Sequence, residues 1–359
     1  MRRAPAFIQV DVDSLWAVRR AYGFSDLTKP PETAGSDAVW DVAIPRLLEL
    51  FAALSIPTSF FVIGRDMDQP QRRARVREIV AAGHEIANHS HSHRLDLPWS
   101  APEAIQEEIA LSQERLASVS GQTPVGFRSP GYGMSEALME QAREAGFLYD
   151  SSLLPSPWGF AMRFAARQII RAARARSASK PGRANHPAAS YSSGRAAWAP
   201  NHPYLPKPEA FYRPVRHSEA ILSRRLSMHS LPSPVARIAP PLILEIPVSV
   251  APGVRAPFHA SLSLAAGPAW FRLALWLHRR ARVPLNFLVH GMDVLDCRDG
   301  ELPAQAISKR VFGVDWKKKT AALRHMLEAI DRQYETERAD QWSREALAFT
   351  RPASPKAMR

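Results

Sequence analysis

AAGHEIANHSHSH, residues 81–93, runs from a glycine through a short apolar segment into three histidines on alternate positions. Upstream, QRRARVREIVAAG (Gln71–Gly83) places Val76, Ile79 and Val80 at helical spacing and ends in a glycine suited to the position after a helix. HEIAN then reads as a short buried strand, so NHSHSH begins just past a strand's C-terminal end. In α/β proteins that is the end where sites are built. An extended chain would turn His89, His91 and His93 to one face, whereas a helix or tight turn would converge only His89 and His93. The His89/His93 pair is the one to test, with His91 as the spare and a polar loop as the alternative.

The same helix-to-strand rhythm extends both ways. FIQVDVD is an apolar strand ending in acids, AIPRLLELFAAL an amphipathic helix and PTSFFVIG a second strand. SAPEAIQEEIALSQERLASVSG predicts a helix opened by Ser100 with Glu103 three residues on, a capping box. VGFRSPG follows as strand and turn, and SEALMEQAREAG as a helix stopped by Gly146. Farther on, PLILEIPVSV and VPLNFLVHGMD are strand-like and flank the helical AWFRLALWLHRR. A helix near Lys317 to Arg338 and a polar tail close the chain. The alternation predicts an α/β fold with a parallel sheet or barrel. Residues 1–152 would form its first part, 153–241 an insertion, 242–315 the remainder of the barrel, and 316–359 a C-terminal helix and tail.

The formal net charge of +13 lies almost wholly in the insertion. Between Ser151 and Pro241 there are twelve arginines and two lysines against Glu209 and Glu219. Concentrated in one segment without repeated aromatic interleaving, this charge disfavours nucleic acid as the partner. WGFAMRFAARQIIRAARAR, from Trp158, spaces Arg163, Arg167, Arg171 and Arg174 along one face and reads as a basic amphipathic helix suited to an anionic membrane. HPYLPKPEAFYRP resembles an ordered cover over a site rather than a tail. One cysteine, Cys297, excludes an internal disulfide and a cysteine-based zinc site. The basic N-terminus has too short an apolar run for a signal peptide. The expectation is a cytoplasmic protein, peripheral at most on the inner membrane face.

Polar residues collect at the C-terminal ends of the expected strands: Asp11 and Asp13, then His89 and His93, Arg128, Glu245 and His290. Together, two carboxylates, two histidines four apart, an arginine and a distal histidine suit a hydrolytic metal site. These residues resemble the polysaccharide deacetylases with a NodB-type domain, carbohydrate esterase family 4. VDVDS resembles a variant of that family's first motif; His89, Ser90 and His93 match its His-Ser-x-x-His; Arg128 and Pro130 its Arg-x-Pro; Leu288 and His290 its Leu-x-His. The resemblance covers roughly Phe7 to Ser152 and Leu242 to Asp293.

That resemblance implies a distorted (β/α) barrel of the NodB type with a long basic insertion. It implies Asp11 as base, His290 as acid and Arg128 as catalytic partner. Asp13, His89 and His93 would hold a divalent metal, zinc first, with cobalt, nickel or iron also fitting the donors. Gly131, Tyr132 and Glu245 would serve the substrate or oxyanion. The implied reaction removes an N-acyl group, acetyl first, from an amino sugar, and the basic insertion extends this to a lipid-linked sugar. LEIPVS stands where the family often carries an aspartate and a tryptophan. That departure keeps a deformylase or cyclic-amide hydrolase as the alternative. A basic nucleic-acid- or membrane-binding protein with a vestigial site is the alternative of another class.

Overall fold

The computed structural model describes residues 3–21, 35–158, 194–215, 242–299 and 313–348. Its centre is β1 (Pro5–Val12), buried on both faces after its first residue, as the run AFIQVDV requires of an inner parallel strand. β2 (Thr58–Val62) lies on one side of it and β9 (Leu285–His290) on the other. The sheet continues from β2 through β3 (Glu85–Asn88), β4 (Gly126–Phe127) and β5 (Tyr149–Asp150) to β8 (Leu244–Glu245), all parallel. Between β5 and β8 the chain forms a small antiparallel hairpin, β6 (Pro206–Lys207) and β7 (Ala210–Pro214). β8 and β9 share no ladder among the described residues. Ser249 and Asn286 bridge the gap instead, through one backbone bond and one Ser249 hydroxyl bond. The result is a distorted (β/α) barrel with a polar seam.

Helices cover the outside because each buries one stripe. α1 (Leu15–Ala21) follows β1 directly. α2 (Ile44–Leu54) buries Ile44, Leu47, Leu50 and Phe51. α3 (Pro70–Ala81) buries Val76 and Ile79 and ends before Gly83, whose φ of +85° only glycine adopts without cost. α4 (Pro102–Ser120) and α5 (Glu136–Glu144) flank β4, and Ser135 caps α5 by accepting the Leu138 N–H. α6 (Ala260–Ala266) and α7 (Pro268–Ala281) lead into β9; α8 (Trp316–Asp331) and α9 (Ala339–Ala348) follow it. Among the described residues no helix is long and apolar enough to cross a membrane.

The structure corrects two expectations. Pro102 occupies the first turn of α4 and moves the cap to Ala101, so the Ser100/Glu103 capping box does not form. Ser100 bonds instead with Arg94 and the Asp96 carbonyl. The C-terminal helix, expected to run to Arg338, stops at Asp331, and the described residues after it form a strand and a further helix. β10 (Glu335–Thr336) pairs with the start of β1, and α9 sets Trp342 edge-on to Phe7 at 5.2 Å. The part of the insertion that is described is packed: Leu153, Ala196, Ala199, Tyr204 and Phe211 join the core around α5. The basic amphipathic stretch after Trp158 lies outside the described residues.

α9 docks at the N-terminal end of the barrel, where Glu85 is buried. Its carboxyl accepts from Tyr149 Oη at 2.9 Å, from the Asp340 N–H at 3.2 Å and from Ser59. Burial, reinforced by the nearby Asp340 charge, raises its pKa from 4.5 to about 8. A folded-state pKa raised above the unfolded value stabilises the fold fully below pH 4.5, and that contribution is lost as pH rises through about 8. Glu85→Gln mimics the protonated acid. Compared with the wild type, it is expected to melt higher at about pH 9 and alike at about pH 5, so the stability gap opens with pH. Parallel melting curves for both proteins across that range would remove Glu85 from this role.

Candidate metal centre

Strand register brings the rim together. Asp11 pairs with His290 across β1 and β9, and one residue on, Val12 pairs with Val62, with Asn88, Phe127, Asp150 and Glu245 following in register. The residues just beyond these positions, Asp13, His89, Arg128 and Ser151, therefore emerge at one C-terminal rim.

NHSHSH forms a tight turn, neither strand nor helix. Ser90 and His93 take positive φ of 62° and 51°, sparsely populated geometry that surrounding bonds must hold. Asn88 Oδ1 accepts the Ser90 N–H at 2.8 Å, and Ser90 Oγ accepts the His93 N–H at 3.1 Å. Gly64 donates its N–H to Ser90 O, and a side chain there would collide with Ser112 at 2.6 Å. From α4, the Glu108 carboxylate accepts the N–H groups of His91 and Ser92 and the Ser92 hydroxyl. The turn points His89 and His93 to one place and sends His91 elsewhere.

There they meet Asp13. Its Oδ1 lies 3.3 Å from His89 Nε2 and 3.2 Å from His93 Nε2, and the three donor atoms fall within 4.8 Å of one another. By strict hydrogen-bond geometry Asp13 Oδ1 has no partner. Three lone-pair atoms facing one point at these distances suit a shared cation better than each other. His89 Nδ1 lies 2.7 Å from the Arg128 carbonyl, a bond that fixes the tautomer and leaves Nε2 as ligand atom. Burial disfavours charge on Asp13, yet His93 and His89 outweigh it and hold its pKa well below the usual carboxylate range. Burial likewise opposes a proton on His89, but Asp11 and Asp13 outweigh it and raise its pKa.

Beside the triad, Arg128 is buried in a full set of partners. It donates to Asp11 Oδ1 at 2.5 Å, to Ser151 O and Oγ at 2.8 Å each and to Gln9, with its guanidinium 4.1 Å over the Phe61 ring. His290 Nε2 stands 3.8 Å from the other Asp11 oxygen. His290 Nδ1 lies 3.2 Å from Ser261 Oγ, and its backbone N–H donates to Asp293. His259 lies edge-on to His290 at 6.3 Å; burial and the His290 charge lower its pKa to about 3. Gly131 and Tyr132 both take positive φ in the turn after Arg128, and Tyr132 packs on Leu154, Val248, Val250 and Leu288.

Glu245 does not reach this space. It is fully buried, accepts the Leu153 N–H at 3.2 Å and lies against Asp150. Burial and the Asp150 charge push Glu245 well above the usual carboxylate range. Of the sequence-derived set, Asp11, Asp13, His89, His93, Arg128 and His290 converge, Gly131 and Tyr132 border them, and Glu245 is a structural acid behind them.

Several groups were missed. Gln9 had a signal: it shares the alternate positions of Asp11 and Asp13 on one strand face. Asp66 had none, because its role is tertiary. It accepts from Ser14 and Trp16 and pairs with Arg72, while Asp37 accepts the Leu15 N–H, so together they pin the segment after Asp13. Burial and the Asp66 charge raise Asp37 to about 6.

Residues 36–149 match the family model for polysaccharide deacetylase. A peptidoglycan deacetylase of Helicobacter pylori is 30% identical over 146 residues, 40% of this chain and 48% of that protein. A chitooligosaccharide deacetylase of a Bradyrhizobium species is 30% identical over 147 residues, 40% of this chain and 65% of that protein. The chain thus spans about half to two thirds of the length of these curated relatives. A solved Mycobacterium smegmatis protein, provisionally named a polysaccharide deacetylase, aligns over 97% of this chain and 91% of its own with a TM-score of 0.57 and 18% identity. That likeness shows the fold, a distorted barrel of the NodB type.

Zinc or cobalt added at about a hundredfold over Kd is expected to stabilise the wild type by about 2.7 kcal/mol. Asp13→Ala should lose that gain, and the effect should fade at acid pH as His89 takes up its proton. Equal metal-induced melting shifts in both proteins would place the cation elsewhere.

Proposed function

We propose, from the polysaccharide deacetylase domain that the chain carries, that this protein is a metal-dependent amidohydrolase removing an N-acetyl group from an amino sugar in a glycan or glycan precursor. One observation carries the reading: the Asp13, His89 and His93 donors converge beside the Asp11–Arg128 pair, with His290 across from Asp11. The matched family and relatives support the same chemistry.

Asp13, His89 and His93 are the residues that would hold the ion. A divalent cation there, zinc first, supplies Lewis acidity that makes water a nucleophile near neutral pH and polarises the acyl carbonyl. Arg128 and Gln9 lock the Asp11 side of the site, so the Asp11 oxygen facing His290 is the one aimed at the reacting groups. Asp11 takes the proton of the attacking water, and the Gly131 N–H helps hold the oxyanion. His290 Nε2 then gives a proton to the departing sugar amine, which otherwise is too poor a leaving group. Ser261 and Asp293 orient the His290 ring from its other side.

The Arg-rich sequence after Trp158, outside the described residues, is the ground for a lipid-linked form of the sugar and for contact with an anionic membrane face. Residues 153–241 are read as an insertion between two barrel strands.

The test is acetate release from peptidoglycan and from N-acetylated glucosamine oligomers by metal-loaded protein. Asp11→Asn is expected to lower kcat about 10²- to 10⁴-fold while keeping the metal-induced melting shift. His290→Ala should slow the amide far more than an activated phenyl acetate, whose leaving group needs no proton. Undiminished acetate release by Asp11→Asn would remove the proposed base.

A further inference from the structure

We propose that Trp158 and Trp198 form a second sugar-binding subsite on the catalytic rim, stacking on a neutral glycan chain several units from the amino sugar being deacetylated. The proposal rests on the glycan reading above and adds where the rest of the chain lies.

Beyond β8 the chain makes a hairpin over residues 249–258, closed by Val250 opposite Pro257 and by the Phe258 N–H on Ser249 O at 2.8 Å. Its base belongs to the site: Val248 and Val250 pack with Tyr132 and Leu288, and His259 faces His290 at 6.3 Å. Its tip carries the tryptophans. Trp158 Nε1 donates to Val254 O at 2.9 Å, and Arg255 lies 5.6 Å from the Trp198 ring centroid. From base to tip is at most about 13 Å at 3.3 Å per residue, so one extended ligand can touch both ends.

The patch is built and held. Arg255 takes a φ of 55° and donates to the carbonyls of Pro155, Ala197 and Ala199, at 3.1, 3.2 and 2.6 Å. Those bonds tie the hairpin to both segments that carry the tryptophans. Yet the indoles stay in water, Trp158 51% and Trp198 69% exposed, with Val254 at 49%. Among the described residues, these are three of the seven large apolar side chains left exposed, so this is a patch and not scatter. Fixed backbone with exposed aromatic faces is the arrangement of a preorganised binding surface.

Chemistry selects the occupant. The Arg255 guanidinium is turned onto three carbonyls, so the patch offers flat apolar faces rather than a cation for an anionic ligand. A pyranose ring presents a C–H face to an indole and hydroxyls to the surrounding carbonyls. A membrane would need a broader apolar surface than two rings and a valine.

The experiment measures kcat, KM and binding for N-acetylated β-1,4-linked glucosamine oligomers, from disaccharide to hexasaccharide, with metal-loaded wild type, Trp158→Ala, Trp198→Ala and Trp198→Tyr. The wild type is expected to show KM falling with chain length. Each alanine variant should raise KM for the hexasaccharide about tenfold, the effect of losing one good contact. Their disaccharide kcat and melting temperatures should stay unchanged, and Trp198→Tyr should recover most of the loss. Turnover whose length dependence ignores both tryptophans would overturn the subsite and leave the deacetylase reading standing. Oligomer binding that needs the tryptophans without any acetate release would keep the subsite and sink the reaction. Neither binding nor turnover would overturn both for this glycan class.

Discussion

The buried pair of Arg128 and Asp11 is the interaction on which the rest of the site depends. Two charges inside a protein cost several kcal/mol each in lost hydration, and attraction repays this only when every remaining donor is used. Here four hydrogen bonds join Arg128 to Asp11 and Gln9 on β1 and to Ser151 just past β5, with its guanidinium over the face of Phe61 on β2. β1 and β4 are not neighbours in the sheet, so the guanidinium crosses the barrel interior. Ser151 Oγ carries the network on, accepting from Asn286 and donating to Ile246 O across the seam that β8 and β9 leave open. One polar network therefore closes the barrel and aims Asp11.

The same rim places four acids at the ends of three strands, and their charges are handled in different ways. Asp11 has the guanidinium. Asp13 has two imidazoles, at 3.3 and 3.2 Å. Asp150 and Glu245 lie buried side by side, and burial raises the pKa of both. This division explains why only two of the four are available to chemistry. Glu245 looks like a site residue in the sequence because it ends a strand, but β8 ends against Tyr204, whose backbone bridges to it. The segment around Tyr204 thus covers the strand end at Glu245.

Much of the architecture was legible in residue order. Alternating periods of two and 3.6 residues reveal strands and helices wherever one face is buried, and polar residues that end apolar strands mark the rim. What could not be read are features set by tertiary partners. Ser100 and Glu103 have the spacing of a capping box, but Pro102 and the bonds of Arg94 to Asp96 override it. QYETER after α8 has no clear period, and it pairs as a strand only because β1 offers a free edge at Pro5 and Ala6. Glu108 is indistinguishable by sequence from the other acids of α4, yet it holds the turn that converges the histidines.

The Asp-x-Asp spacing follows from strand geometry. Successive side chains on a strand alternate faces, so Gln9, Asp11 and Asp13 share the inner face while Val10 and Val12 enter the outer core. Strand pairing holds Asp11 rigidly, since its neighbours on both sides are in register. Asp13 lies one residue past the strand's end and owes its place to Ser14, Leu15 and Trp16, which Asp66 and Asp37 anchor. The two acids therefore have separate supports: Asp11 is fixed by the sheet and Arg128, Asp13 by a loop with its own buried network. A carboxylate borne on a loop can shift without moving its neighbour two residues back, which strand pairing on both sides holds.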